Sequence, residues 1–177
     1  DHGEGFCLYN DQAIAANWLI QKKRAQKVLI VDLDVHQGNG TAFIFQNRPE
    51  VFTFSMHGSA NYPMHKEHSD LDIPLEDQCG DGVYLKILHE VLPKLIEQEK
   101  PDFIFYQSGV DVLGEDKLGR LALTKEGCKE RDYIVWEQCW KKNIPVVACM
   151  GGGYAPHIKV IIEAHANTYR TAKDIFG

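Results

Sequence analysis

No two cysteines in this chain have CxxC spacing, and their total of five (Cys7, Cys79, Cys128, Cys139 and Cys149) is odd. That pattern argues against a disulfide framework and offers no zinc-finger quartet. It reads as reduced, mostly buried thiols in an intracellular protein, cytoplasmic or, in a eukaryote, nuclear. Lys and Arg never run longer than Lys22-Lys23-Arg24, and the net charge is −6, so no broad electrostatic surface for direct nucleic-acid binding is expected. No apolar stretch approaches the roughly 18 residues of a membrane span, so no membrane role is expected either. No leader is visible, and Asp1-His2-Gly3-Glu4 lacks an initiator Met, as the interior of a longer sequence would. Internal repeats and low-complexity linkers are absent. What remains is ordinary globular composition: 177 residues, 44% hydrophobic and 25% charged, enough for one core and one domain.

Apolar runs alternate with helical stripes. Asn10 can cap a helix through residues 13–20. Lys27-Val28-Leu29-Ile30-Val31 is a buried strand, followed by the turn signal Gln37-Gly38-Asn39-Gly40 and a short helical turn near 41–46. Residues 51–56 form a second strand. The polar stretch from about 57 to 78 shows no period and reads as a long irregular loop, usually functional or mobile. Val83, Ile87, Leu88, Val91, Leu92, Leu95 and Ile96 make a helical stripe in which Pro93 can introduce a kink. A third strand at 102–106, a helix opened by Thr124, a fourth strand at 145–150 and a last helix over about 158–172 complete the chain. Strands alternating with helices mean an α/β fold: a parallel sheet with right-handed crossovers and helices on both faces. Four strands make a small sheet, as a piece of a larger domain would.

The most informative run is Val31-Asp32-Leu33-Asp34-Val35-His36. It ends an interior strand, where open α/β sheets keep their ligands, and period-2 geometry turns Asp32 and Asp34 to one face. Paired acids are costly to bury without a cation, so a metal site is the leading explanation. Asp111 follows the third strand and Gly151-Gly152-Gly153-Tyr154 follows the fourth. Asp34, His36 and Asp111 together supply two carboxylates and an imidazole, a three-ligand set with an open position, as in catalytic zinc sites. Iron or manganese suits the same donors. The bland alternative makes each acid a turn or cap residue, which three strand ends together render hard to sustain. Asp32 would overcrowd the ligands and fits better as an acceptor for a catalytic imidazole. The glycines permit close backbone approach, and the Tyr154 phenol can donate to a developing oxyanion. The remaining histidines show no paired spacing and read as surface or core residues.

Gly5-Phe6-Cys7-Leu8-Tyr9-Asn10-Asp11, the Asp32–Gly40 motif, Asp111 through Gly119 and Gly151-Gly152-Gly153-Tyr154 resemble the zinc-dependent histone deacetylases. Asn61-Tyr62-Pro63, Asp70-Leu71-Asp72 and Arg120-Leu121-Ala122-Leu123-Thr124 are most similar to the class IV and bacterial deacetylase-like branch. The resemblance implies a partial arginase/deacetylase fold and hydrolysis of an acylated lysine, or of an acylated polyamine or another small amide. Asp34, His36 and Asp111 would be the zinc ligands, and Tyr154 the oxyanion donor. Gly5, Phe6, Tyr62 and Gly152 would line the acyl-lysine channel. A structural potassium ion would use Asp32, Asp34, His36, Ser55 and Met56. The family also works with two adjacent histidines, as general base and acid, a few residues before the Gly-Phe-Cys segment. The chain has no such pair, and His2 sits too close to Phe6 to replace either. Their expected partners remain, Asp32 for one and Asn39 for the other. The resemblance therefore implies an electrophilic site that needs an N-terminal segment for its proton carriers. A non-catalytic metal-binding fragment is the competing reading. A two-manganese ureohydrolase of the same fold would need a second acidic cluster.

Overall fold

A computed structural model describes residues 3–177. Five parallel strands form one sheet: β1 (Val28–Asp32), β2 (Val51–Gly58), β3 (Leu71–Leu75), β4 (Phe103–Gln107) and β5 (Val146–Cys149), in the order β3-β2-β1-β4-β5. The helices are α1 (Asp11–Gln21), α2 (Asn39–Phe45), α3 (Asp81–Glu99), α4 (Lys125–Lys142) and α5 (Ile158–Phe176). Asn10 caps α1 by accepting the Ala13 N–H, and Thr124 caps α4 by accepting that of Gly127. Pro93 falls inside α3, and α5 runs on past residue 172 to Phe176.

The expected count of four strands is corrected to five. β3 lies in the stretch that reads as an irregular loop, because its alternation of Leu71, Ile73 and Leu75 spans only five residues, contains Pro74 and is flanked by polar residues. A proline is tolerated there because β3 is an edge strand, paired only with β2.

Strand alternation divides the core in two. Val28 and Ile30 of β1, with Phe105 of β4, pack against Ala13 and Ala16 of α1 and Phe45 of α2. Leu29 and Val31, with Ile104 and Tyr106, pack against Tyr84, Leu88 and Leu92 of α3 and Val135, Trp136 and Cys139 of α4. A central strand buried on both faces must be apolar throughout, and all of β1 is buried. The alternation outlasts the strand: Leu33 and Val35 stay in the larger core, leaving Asp32, Asp34 and His36 in the other phase.

The chain winds from β1 outward through β2 to β3, then returns to β4 on the other flank of β1. The β1–β4 boundary is therefore the topological switch point, where a crevice opens beyond the strand C-termini. Asp34 and His36 follow β1, and Asp111 follows β4.

Candidate metal centre

Beyond β1 and β4 the two chains separate. The Leu33 N–H still donates to the Gln107 carbonyl at 3.1 Å, one rung past the last paired residues, Asp32 and Gln107. Asp34 then turns toward β4 and β5. Its Oδ1 accepts from the His36 N–H at 3.0 Å, and its Oδ2 accepts from the Gly152 N–H at 2.8 Å. Asp111, fully buried, accepts the Val35 N–H at 2.9 Å through Oδ1. The His36 ring directs Nδ1 at both acids, 3.0 Å from Asp34 Oδ1 and 3.1 Å from Asp111 Oδ2. One donor atom from each of Asp34, His36 and Asp111 thus lies within 4.8 Å of the others. This is the one such trio of metal-ligating side chains among the described residues.

The glycines make room for it. A Cβ on Gly109 or Gly152 would run into the Asp34 or Asp111 carboxylate, respectively. A Cβ on Gly151 would stand 2.6 Å from Asp34 Oδ2. Three backbone segments can close around two acids only because these positions lack side chains.

Charge in the cluster is strongly coupled. Burial, then the charge of Asp34, pushes the Asp111 carboxyl up to about 7. Asp32 is raised well above the usual carboxylate range, by burial first and Asp34 next. For Asp34 burial acts upward too, but the His36 side chain and the Gly152 and His36 N–H groups outweigh it and hold it below its ordinary value. His36 resists the downward pull of its own burial; Asp111 and Asp34 raise it to about 10. The two acids that hold a proton on Nδ1 present the geometry that would hold a cation there.

Tyr154 stands at the edge of this cluster. Its N–H donates to Asp116 Oδ2 at 2.6 Å, and its ring edge comes within 3.0 Å of where a Gly152 Cβ would project. Burial, followed by the charges of Asp111 and Asp34, raises its phenol above the ordinary value. Asp32 lies at the base with Oδ1 accepting from the Asp34 N–H at 3.1 Å, and Gly38 packs against its other oxygen. Asn39 opens α2 and donates its amide to Glu4 Oε2 at 2.9 Å.

The rim is built differently. Glu4 and Cys7 exchange both main-chain hydrogen bonds at 2.9 Å, with Gly5 at φ +56° and Phe6 at +67° between them. Two central residues at positive φ make a tight turn of the type I′ kind, and a phenylalanine rarely occupies that region. Phe6 is 86% exposed, yet its ring centroid lies 5.8 Å from that of Tyr154. The Tyr62 hydroxyl donates to Glu4 Oε1, and the Tyr62 ring comes within 4.0 Å of where a Gly5 Cβ would project. Gly5 thus neighbours Tyr62, and Phe6 and Gly152 both neighbour Tyr154. His2 lies outside the described residues.

The residues named for potassium divide. Asp32 and Ser55 are registered partners and line one narrow cleft with Gly38, Thr41, Thr53 and Ser69. The Ser55 hydroxyl shares a 2.9 Å hydrogen bond with His57 Nδ1. The Met56 side chain is enclosed in the larger apolar core, which leaves only its main chain to serve an ion.

Sequence reading misses a group beneath the cluster. Arg131 and Asp132, both fully buried, pair at 2.8 Å in the middle of α4. They follow Lys129 and Glu130 in a run of four charged residues, and the sequence reading assigns them no role. The available signal is phase: Arg131 falls three after Cys128 and four before Val135, both buried.

Residues 1–169 match the histone deacetylase domain. An uncharacterised protein of Picosynechococcus sp. is 47% identical over 99% of this chain and 58% of its own length. Histone deacetylase 2 of Arabidopsis thaliana is 31% identical, over 96% of this chain and 45% of its own. The crystal structure of an acetylpolyamine aminohydrolase from Burkholderia pseudomallei superposes with a TM-score of 0.81 at 26% identity, covering 98% of this chain and 52% of that one. The chain spans about half the length of the relatives it matches.

Proposed function

The chain belongs to the histone deacetylase family, and from that premise we propose that it carries the metal-binding part of an amide hydrolase acting on acylated lysine side chains. The observation that carries this reading is the convergence of Asp34, His36 and Asp111 beside Tyr154 at the switch point between β1 and β4. Two carboxylate oxygens and one imidazole nitrogen fit zinc, and also iron or manganese, with coordination positions left for substrate. When bound, such a metal supplies Lewis acidity toward an amide carbonyl and toward water.

The side chains would divide the remaining work. Asp34, His36 and Asp111 hold the metal. Tyr154 keeps its phenolic proton at neutral pH and donates it as a hydrogen bond to the oxyanion. Gly5, Phe6, Tyr62 and Gly152 line the channel for the acyl-lysine stem. Asp32 and Asn39 orient a pair of imidazoles, which residues 1–177 do not contain as neighbours and which an N-terminal segment would supply. A potassium ion held by Asp32, Ser55 and the main chains of Asp34, His36 and Met56 would brace the base of the site. The compartment we propose is the cytoplasm, or the nucleus in a eukaryote, on the ground that the five cysteines are free thiols.

A small cationic substrate such as an acylated polyamine is the second reading. The acidic groups at the mouth, Glu4 and Asp116, favour it, as does the similarity to an acetylpolyamine aminohydrolase. Turnover of a fluorogenic acetyl-lysine peptide and of an acetylated polyamine separates the two. Each is measured on this chain and on one extended N-terminally through a tandem-histidine segment. General acid–base groups contribute about 10²- to 10⁴-fold, so the extended chain should be faster by that order. Equal rates in the two chains would remove the role given to the imidazole pair, and a hydroxamate that fails to inhibit would count against the metal.

A further inference from the structure

Three features stand outside the chemistry above: the buried, unpartnered Nδ1 of His165, the solvent-open apolar groove between α4, α5 and β5, and the buried Arg131–Asp132 pair. The third is tied to the metal centre by direct contacts. Arg131 is the largest fully buried side chain of the described residues. Its Nη1 donates to the Leu33 carbonyl at 3.2 Å and to the Gly109 carbonyl at 2.5 Å. Its Nε and Nη2 both reach Asp132 Oδ1, at 3.0 and 2.8 Å. Asp132 is fixed in turn by the Tyr106 hydroxyl and, at 2.7 Å, by that of Thr168 from α5.

The two carbonyls occupy telling positions. Leu33 directly precedes Asp34. Gly109 lies two residues before Asp111 and packs its Cα against both Asp34 and Gly151. The last β1–β4 rung is Leu33 N–H to Gln107, and past it the chains must part to admit the Asp34 carboxylate. Parting leaves the Leu33 and Gly109 carbonyls buried and in need of donors. One guanidinium nitrogen serves both, so Arg131 stands as a rung across the gap, fixing its width.

We propose that Arg131, anchored by Asp132 and Thr168, is a positioning residue that sets the separation of Asp34 and Asp111 and so tunes metal affinity. This rests on the metal reading above. A planar fork is needed because three acceptors lie in different directions; an ammonium is a point donor without that rigidity.

Cobalt(II) binding tests it, read as affinity and as the visible d–d band, whose shape reports coordination geometry. Arg131→Met should bind about 10- to 100-fold more weakly, the usual cost of removing support behind a ligand, with a changed band. Arg131→Lys should recover part of both. Cys139→Ala, equally buried two turns along α4, controls for general loosening and should leave both readouts as they are. A folded Arg131→Met with unchanged affinity and band overturns the proposal, as does an equal loss in Cys139→Ala. If the Arg131 variants do not fold, Thr168→Val leaves the guanidinium in place and removes one anchor of Asp132. It should weaken binding severalfold, and unchanged binding there overturns the proposal. Failure of the unsubstituted chain to bind cobalt sinks the metal reading itself, a different result.

Discussion

The acid–imidazole cluster and the Phe6 turn meet where Phe6 packs on Tyr154, and Glu4 of the turn also accepts from Asn39 and Tyr62, yet the two are held by different means. Asp34 and Asp111 are buried, and each carboxylate oxygen has a hydrogen-bond partner from the fold. The helix and loop behind them supply Arg131, Gly109 and Gly152. Phe6 and its neighbours Leu8 and Tyr9 are each at least 80% exposed, and the turn is closed mainly by its own two main-chain bonds. The geometry of the acid–imidazole cluster is thus a property of the sheet, whereas the Phe6 turn is a local structure set against it. Damage to one should leave the other nearly intact, and substitutions can test that separation.

The largest effect should follow from the acids. Asp34→Ala or Asp111→Ala would remove one of the three proposed ligands and also take from the half-buried His36 imidazole one of its two counter-charges. Metal content by elemental analysis should fall from near one equivalent to near zero, while Phe6 variants keep theirs. Unchanged metal content in either Asp variant would show the ligand assignment to be wrong.

Gly152→Ala comes next. The new methyl would run into the Asp111 carboxylate and crowd the Tyr154 ring edge, so a ligand must move. Metal affinity should drop about 10- to 100-fold. Gly82→Ala is the contrasting change: nothing lies within 4 Å of its Cβ position, in the first turn of α3. It should stabilise the chain by up to ~1 kcal/mol through helix propensity and leave metal binding alone. Calorimetric melting and metal titration on both variants separate crowding from backbone entropy.

A smaller effect lies in acid stability. His165 is buried beneath Gly153, and its burial, then the Arg131 charge, holds the imidazole below its ordinary value. Asp132 and Asp34 also face it and oppose this more weakly. The unfolded chain protonates this histidine near pH 6.5, and the folded chain only at lower pH. Between those values the unfolded state binds more protons, so stability is lost as pH falls through that window. His165→Leu should flatten the decline of the urea midpoint between about pH 7 and 5.5. An unaltered slope would mean that His165 is not held neutral.

Much of this architecture is legible in one dimension because it follows from period. β1 is buried on both faces, its acids fall in one phase, and Asp111 and the Gly-rich turn follow later strands, so the trio Asp34, His36 and Asp111 can be read from strand ends, whereas the switch point between β1 and β4 needs the strand order. β3 cannot be read, since its alternation is only five residues long and holds Pro74, which a sheet edge tolerates. Arg131 is hidden for another reason. Its acceptors, the carbonyls of Leu33 and Gly109, carry no side-chain signature, and its anchor Thr168 lies on a different helix. The closeness of Gly109 to Asp34 is likewise a fact of packing between strands, visible only once β1 and β4 are adjacent.

The finest test concerns Phe6 itself. A phenylalanine at φ +67° carries backbone strain on the order of 1 kcal/mol, with its ring mostly in solvent, so the fold gains little from it. Such a residue is retained more easily if the ring does work at the mouth. Asn tolerates the left-handed region far better, so Phe6→Asn should leave stability equal or raise it by up to ~1 kcal/mol. Metal affinity should not change. In the N-terminally extended chain, KM for the acetyl-lysine peptide should rise while kcat stays within about twofold, the pattern of lost uniform binding. A fall in metal affinity would instead join the turn to the cluster, and the two regions would no longer count as separable.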